Sequence, residues 1–321
     1  MHVYHSTTNN PYFNIATEEY FLKNYSDDFF VLYINEPSII VGKHQNTMAE
    51  INVPYVFEKG LKVVRRLSGG GTVFHDYGNL NYCFIQSGKE GYLVDFKKYA
   101  QPVLDTLQNL EVNAWLRGKS DLVIDDLKFS GNAEHVFKNR ILHHGTLLFN
   151  ANLEHLNESI KADWNNFSDR AVRSNRSMVT NITDHLKKKL TIHEFQQKVI
   201  DTVLQQNQDL KPFELSESDK IAIEKLVTEK YSTWKWNFAY SPNYQFTKTV
   251  ALKSGVISSK IEIEKGVIKK LYMDGDITDI NQNMQYLIGK PHQYLVVQEF
   301  LNAHTEEKIR MQAHEILKVL F

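Results

Sequence analysis

At 321 residues and 37.3 kDa the chain is too long for one small module and suits two domains of ~100–200 residues each. Hydrophobic residues at 42% can fill a core and charged residues at 23% are ordinary for a globular protein, which excludes the disordered and fibrous classes. With 37 Lys and Arg against 38 Asp and Glu, a net charge of −1 lacks the basic excess of a dedicated nucleic-acid binder but leaves room for a cationic cluster around a small anion. The single cysteine, Cys83, excludes an internal disulfide framework and a Cys-rich zinc site. Met1-His2-Val3-Tyr4-His5 has no basic segment leading into an apolar stretch. The longest apolar runs, such as residues 29–34, are about a third of the ~20 residues that span a bilayer. The expectation is a soluble, cytoplasmic protein with neither a membrane nor a nucleic acid as partner.

In chain order, apolar residues three and four apart predict a helix over 15–24. Apolar runs at 29–34 and 38–41 predict strands, and Asn35-Glu36-Pro37 between them predicts a hairpin turn. Further strands are predicted at 80–85 and 141–149, and a helix at 96–110. Strand and helix signals alternate irregularly, so an α+β sandwich is expected rather than a doubly wound sheet. Thr191-Ile192-His193-Glu194 has capping-box spacing, and Val199, Val203 and Leu204 continue the apolar face of that helix. Another helix is predicted from Ser216 to about Tyr231. Trp234-Lys235-Trp236-Asn237-Phe238 and the turn Ser241-Pro242-Asn243 follow, placing a domain boundary near 245: a catalytic domain at 1–245 and an accessory domain at 246–321. In the latter, strands are predicted at 248–256, 258–265 and 266–273, and helices from about 279 onward. Eleven of the 15 glycines lie between Gly42 and Gly145 and none between 146 and 254, which puts the site in the first half.

Three segments carry chemistry. In Arg65-Arg66-Leu67-Ser68-Gly69-Gly70-Gly71-Thr72-Val73-Phe74-His75-Asp76, glycines can present backbone N–H groups to phosphate oxygens, and two arginines add planar donor forks. Neither the Walker A spacing nor the dinucleotide-binding G-x-G-x-x-G is met. In the second, which runs from Asp121 to Ala133, a strand ends at the carboxylate pair Asp125-Asp126. Lys128 follows between Leu127 and Phe129, an apolar setting that fixes an ammonium to stabilise charge on an acyl or phosphoryl oxygen. The third, His143-His144-Gly145-Thr146-Leu147-Leu148, suggests close approach of a ligand. Metal binding by the His pair is disfavoured because adjacent strand residues face opposite ways.

With Ser174-Asn175-Arg176-Ser177-Met178-Val179-Thr180-Asn181-Ile182 and the Trp234–Phe238 motif, these ordered segments resemble the lipoate–protein ligase A family over most of the chain. The resemblance implies an α+β, biotin/lipoate ligase-like catalytic domain with a smaller α+β C-terminal accessory domain. It implies that lipoate and MgATP give lipoyl-AMP and pyrophosphate, after which lipoyl passes to an acceptor lysine. Acceptors would be lipoyl domains of 2-oxoacid dehydrogenase complexes or the glycine-cleavage H protein. By position, Lys128 matches the family lysine at the carbonyl and phosphate of the adenylate. Arg65, Arg66, Gly70, Gly71, Thr72, Val73, Phe74 and Asp121 match the ATP and lipoyl-AMP site, and Ser68, His75, His144 and Gly145 the lipoate pocket. Ser174, Arg176, Ser177 and Thr180 match the loop over the adenylate, in which Asn175 and Met178 depart from the family form. Metal ligands are left open.

The residues themselves agree with adenylation, which brings two anions together and needs fixed cationic donors that do not react. Rival readings are an ATP-independent acyl transferase working through Cys83, a biotin ligase, whose Gly-Arg-Gly-Arg loop type is absent, and a non-catalytic homologue that binds acyl carriers.

Overall fold

A computed structural model describes residues 1–88, 94–160, 163–207, 209–252, 255–275 and 280–321. The first half contains β1 (His2–His5), α1 (Pro11–Asn24), β2 (Phe29–Ile34), β3 (Ser38–Val41), α2 (Thr47–Glu50), α3 (Val53–Glu58), β4 (Lys62–Arg65), β5 (Val73–His75), β6 (Asn79–Ser87), α4 (Phe96–Asn109), β7 (Ala114–Arg117), β8 (Asp121–Ile124), β9 (Leu127–Phe137), β10 (Arg140–Leu148) and α5 (Leu153–Ser159). Beyond it come β11 (Phe167–Ser168), α6 (Ile192–Gln206), β12 (Lys211–Pro212), α7 (Glu217–Leu226), β13 (Tyr244–Leu252), β14 (Gly255–Glu264), β15 (Val267–Gly275), α8 (Ile280–Met284), α9 (Tyr294–Asn302), α10 (Glu307–Met311) and α11 (Ala313–Leu320). The expected strand 248–256 runs through positions 253–254, and the expected helical start near 279 falls within 276–279. Both stretches lie outside the described residues. No helix among the described residues is long and apolar enough to cross a membrane.

The chain divides into two units, one made of 1–43, 62–157 and 174–233, the other of 44–61, 158–173 and 234–321. Segments 44–61 and 158–173 thus interleave with those of the first unit in sequence. The cause is hydrogen bonding inside the second unit. Thr47 Oγ1 donates to the Asn237 carbonyl at 2.6 Å, Asn46 Nδ2 donates to Asp169 at 2.8 Å, and β11 pairs antiparallel with β13.

The first unit is built on an eight-stranded sheet in the order β12-β1-β2-β6-β10-β9-β8-β7, with a small sheet β4-β3-β5 beside it. The strands at 29–34 and 38–41 are where the sequence puts them, but they do not form a hairpin. β2 pairs with β1 and β6, whereas β3 pairs with β4 and β5, so Asn35-Glu36-Pro37 carries the chain from one sheet to the other. One face of the large sheet packs Phe30, Leu32, Leu80, Phe84, Ile141 and Leu147 against Val103, Leu107, Phe195 and Val199 of α4 and α6. The capping box at Thr191 and Glu194 starts α6 as its sequence requires.

α1 covers the other face. Asn10 caps its N-terminus and Pro11 opens it, and Pro11, Phe13, Ile15, Ala16, Phe21 and Leu22 are buried together with Glu18 and Glu19. Its C-terminal carbonyls, which no helical N–H can reach, are satisfied by Arg140. This buried guanidinium donates to the carbonyls of Phe21 at 3.0 Å and Leu22 at 3.4 Å, and to those of Tyr25 and Asp27. A cation at that end also opposes the helix dipole. Arg140→Met should therefore destabilise this unit by about 2–4 kcal/mol, since several buried carbonyls lose a charged donor at once. A urea-unfolding midpoint equal to that of the wild type would show that the contacts carry no net stability.

Candidate active site

The face of the large sheet beneath α1 presents, in adjacent rows, Val31, Cys83, His144 and Ala133, then Tyr33, Asn81 and Thr146. Arg66, in the loop after β4, is 5% exposed and is linked to the row of His144 through Ser68. Its NH2 donates to the carbonyls of Gly69 (2.6 Å) and Gly71 (2.7 Å), its NH1 to Ile40 (3.1 Å) and its Nε to Ser68 Oγ (2.9 Å). The glycine loop is thus curled around a guanidinium. Gly70 adopts φ +84°, a conformation glycine tolerates, and a Cβ there would meet Arg66 NH2 at 3.1 Å.

From Arg66 a hydrogen-bond relay runs across this face of the sheet. Ser68 Oγ accepts from Arg66 and donates to His144 Nε2 at 2.6 Å. His144 Nδ1–H donates to Glu18 Oε2 at 2.8 Å, and the Tyr33 hydroxyl donates to Glu18 Oε1 at 2.9 Å. Burial lowers the Arg66 pKa to about 10, with Glu18 and Tyr33 opposing the shift, so the guanidinium stays charged at neutral pH. Burial and the Glu18 carboxylate push the Cys83 thiol up, which makes it a poor source of nucleophilic thiolate. Glu18 and Tyr33 were not anticipated from sequence. Glu18-Glu19 reads as a solvated helix face, and only the apolar residues all around α1 hinted that the helix is wrapped on every side.

His75 joins a second chain of donors. Asn14 Nδ2 donates to Asn35 Oδ1 at 2.8 Å, which turns Asn35 Nδ2 toward His75 Nδ1 at 3.0 Å. The imidazole proton is thereby on Nε2, which is buried with no hydrogen-bond partner among the described residues. A buried unpaired donor of this kind suits a ligand oxygen.

Lys128 reaches the same sheet face because β9 carries a bulge. Leu122 pairs with Ser130 but Val123 pairs with Lys128, so Phe129 is the additional residue. Phe129 goes into the core at 0% exposure, and Lys128 turns to the opposite side. Its ammonium lies over Gly131, where a Cβ would be 3.2 Å from Nζ, and pairs with Asp121 Oδ1 at 2.8 Å. The Lys128 N–H donates to the Met178 carbonyl, and Thr180 N–H donates back to the Lys128 carbonyl, so the segment containing Ser177 and Thr180 is strapped to this strand. Ser174 Oγ accepts from Thr72 N–H at 2.9 Å, which brings that residue to the glycine loop, while Arg176 is exposed. Gly131 and Ala133 are two residues apart on β9, about 7 Å. A Cβ at Gly70 would be 3.9 Å from Ala133. The Arg66 loop and the Lys128–Asp121 pair are therefore neighbours.

Three expected site residues stand elsewhere. Arg65 is 0% exposed and donates to the carbonyls of Gly42 (2.9 Å) and Lys43 (3.1 Å), so it supports the loop from inside. The Phe74 ring is 1% exposed and packs edge-on against His155, so Phe74 offers a ligand no side chain. Gly145 is glycine because a Cβ there would overlap Tyr82 and Asn132 on the opposite face from His144. Val73 is half-buried on β5 at the loop's end.

Burial, with Arg66 and His144 nearby, lowers the His75 pKa from 6.5 to about 3. Between those values the unfolded chain binds a proton that the folded chain does not. The stabilisation due to neutral His75 is therefore complete above 6.5 and lost as pH falls toward 3, at about 1.4 kcal/mol per pH unit. His75→Gln should flatten the acid limb of stability against pH by that slope. Urea titrations across the window check it, and an unchanged slope would mean that the imidazole charges in the folded state.

A family model for the lipoyl protein ligase A/B catalytic domain matches residues 10–204, and one for the bacterial lipoate protein ligase C-terminus matches 241–320. The lipoate-protein ligase LplJ of Bacillus subtilis is 37% identical over 300 residues, covering 91% of each chain. Among solved structures, a bipartite lipoate protein ligase of Thermoplasma acidophilum, studied with its E2 lipoyl domain, superposes with a TM-score of 0.64 at 22% identity, covering 74% of this chain and 94% of that one. A lipoate-protein ligase A bound with ATP gives 0.59 at 22% identity, covering 73% and 95%. At that identity the structures support the fold, and the sequence matches support the kinship: the chain belongs to the lipoate–protein ligase family.

Proposed function

We propose that this protein is an ATP-dependent lipoate–protein ligase. In the first step the lipoate carboxylate attacks the α-phosphorus of ATP and pyrophosphate leaves, giving lipoyl-AMP. In the second an acceptor lysine amine attacks the acyl carbon and AMP leaves. The observation that carries this reading is the Lys128 ammonium, fixed on Asp121 at 2.8 Å, beside a glycine loop wrapped on Arg66. Lys128 stabilises the charge that develops between carboxylate and phosphate. The Nε2–H of His75 and the Ser68–His144–Glu18 relay orient the acyl group, and Ser174 with residues 177–180 closes over the adenylate. The attacking amine meets an already activated anhydride, so holding the two in place supplies much of the rate.

The related ligase bound with ATP supports the nucleotide, and the ligase studied with its lipoyl domain supports a lipoyl-domain acceptor. Magnesium would enter on the triphosphate that it accompanies. An acyl-cysteine route is disfavoured because Cys83 is 0% exposed with its thiol pKa raised.

The test supplies full-length protein with lipoate, ATP and a purified lipoyl domain, and follows pyrophosphate release and the acceptor's mass. Lys128→Ala should lose about 10²–10³ in rate in a folded protein. Cys83→Ala should keep most of it. Near-normal pyrophosphate release by folded Lys128→Ala would remove Lys128 from the chemistry, and loss of transfer in folded Cys83→Ala would restore the thioester route.

A further inference from the structure

The face of the large sheet turned away from Arg66 carries a polar cluster that the reaction does not touch. Tyr82 on β6, Gly145 on β10 and Asn132 on β9 stand in one cross-strand row. Because the middle position is glycine, the Tyr82 hydroxyl passes over it and donates to Asn132 Oδ1 at 2.5 Å. His143 is next to it, with Nε2 3.5 Å from the hydroxyl and Nδ1 2.8 Å from Glu134 Oε1. Tyr99 of α4 stacks on the His143 ring, and Phe96 of the same helix meets that ring edge-on. Tyr82 and His143 are fully buried.

With its oxygen held by Tyr82, the Asn132 amide has one orientation, and its Nδ2 points at Ser120. Both Asn132 Nδ2 and the Asn132 backbone N–H donate to the Ser120 carbonyl, each at 2.9 Å. Ser120 is the residue before Asp121, and Asp121 pairs in register with Gly131, over which Lys128 lies. A continuous line thus runs from the core through Tyr82, Asn132 and Ser120 to the Asp121 carboxylate and the Lys128 ammonium.

We propose that Tyr82 and Asn132 are positioning residues that fix the Asp121–Lys128 pair from the far side of the sheet. The part of this that concerns catalysis rests on the ligase reading above. Neither residue meets a reacting atom. They act by removing the freedom of the β7–β8 turn, so that Asp121 holds Lys128 in one place when charge develops. Gly145 belongs to the same device, as the gap through which the hydroxyl passes.

The test compares wild type, Tyr82→Phe, Asn132→Asp, Lys128→Ala and the Tyr82→Phe/Lys128→Ala double variant, all full length. Tyr82→Phe keeps the buried ring, and its melting temperature checks that it folds. Asn132→Asp keeps the acceptor for Tyr82 and removes the side-chain donor to Ser120, leaving only the backbone N–H. The first readout needs no substrate: competitive acetylation of Lys128, relative to exposed Lys138, by peptide mass spectrometry. Release from Asp121 should raise relative labelling about threefold in Tyr82→Phe and in Asn132→Asp. The second is lipoate-dependent ATP–pyrophosphate exchange, in which kcat should fall about tenfold with KM for ATP and lipoate little changed. That fall should vanish when Lys128 is already alanine. Unchanged Lys128 labelling, or an equal loss in the Lys128→Ala background, would overturn the proposal. Wild type without lipoate-dependent exchange would overturn the ligase reading instead, and the labelling result would still decide whether Tyr82 and Asn132 hold the pair.

Discussion

The structure of the site depends on one buried cation. Removing a guanidinium from water costs several kcal/mol unless its donors are met, and Arg66 meets them with three carbonyls and a serine hydroxyl. The middle glycine of the three is explained from this side, while a Cβ at Gly71 would meet Ser174. The carbonyls of Gly69 and Gly71 must turn inward to Arg66, and Gly70 must adopt a positive φ with its Cα hydrogen against NH2. Glu18 balances the charge without touching it, through Ser68 and His144. Ordered dipoles and a charge already held away from water are what an anionic ligand pair requires, because the surroundings need not reorganise during the reaction.

The large sheet serves two purposes by alternation. One face holds the core under α4 and α6, and the other holds the relay under α1. Lys128 would fall on the core face if β9 were regular, and the bulge at Phe129 prevents this. A single inserted residue therefore decides whether the ammonium faces ligand or hydrocarbon. The two glycines flanking this region have different reasons: Gly131 makes room for the Lys128 stem, and Gly145 for the Tyr82 hydroxyl.

Much of this was legible in the sequence where structure is local. The bounds of β2 and β3 follow from their β-branched and aromatic runs, α6 from its capping box, and the Asp125-Asp126 turn from residues that accept positive φ, +48° and +62°. Non-local facts were not legible. Nothing in Asn35-Glu36-Pro37 says that β2 and β3 enter different sheets, and no break in hydrophobic period marks the bulge. Arg65 and Arg66 are chemically identical neighbours, yet Arg65 is bonded to the carbonyls of Gly42 and Lys43 while Arg66 organises the loop. Glu18 was missed because a carboxylate is ordinarily solvated, and only its distant partners His144 and Tyr33 justify burying it. The interleaved second unit was missed for the same reason, since Thr47 finds its partners 190 and 194 residues along the chain.

The central claim is that the planar fork of Arg66, and not merely its charge, builds the site. Lysine keeps the charge but cannot donate to Gly69, Gly71, Ile40 and Ser68 together. The decisive measurement is lipoate-dependent ATP–pyrophosphate exchange by folded Arg66→Lys against wild type. Wild type should show exchange that requires lipoate, and Arg66→Lys should lose about a hundredfold. Wild-type exchange in Arg66→Lys would mean that a point charge suffices where the structure places a scaffold of four hydrogen bonds.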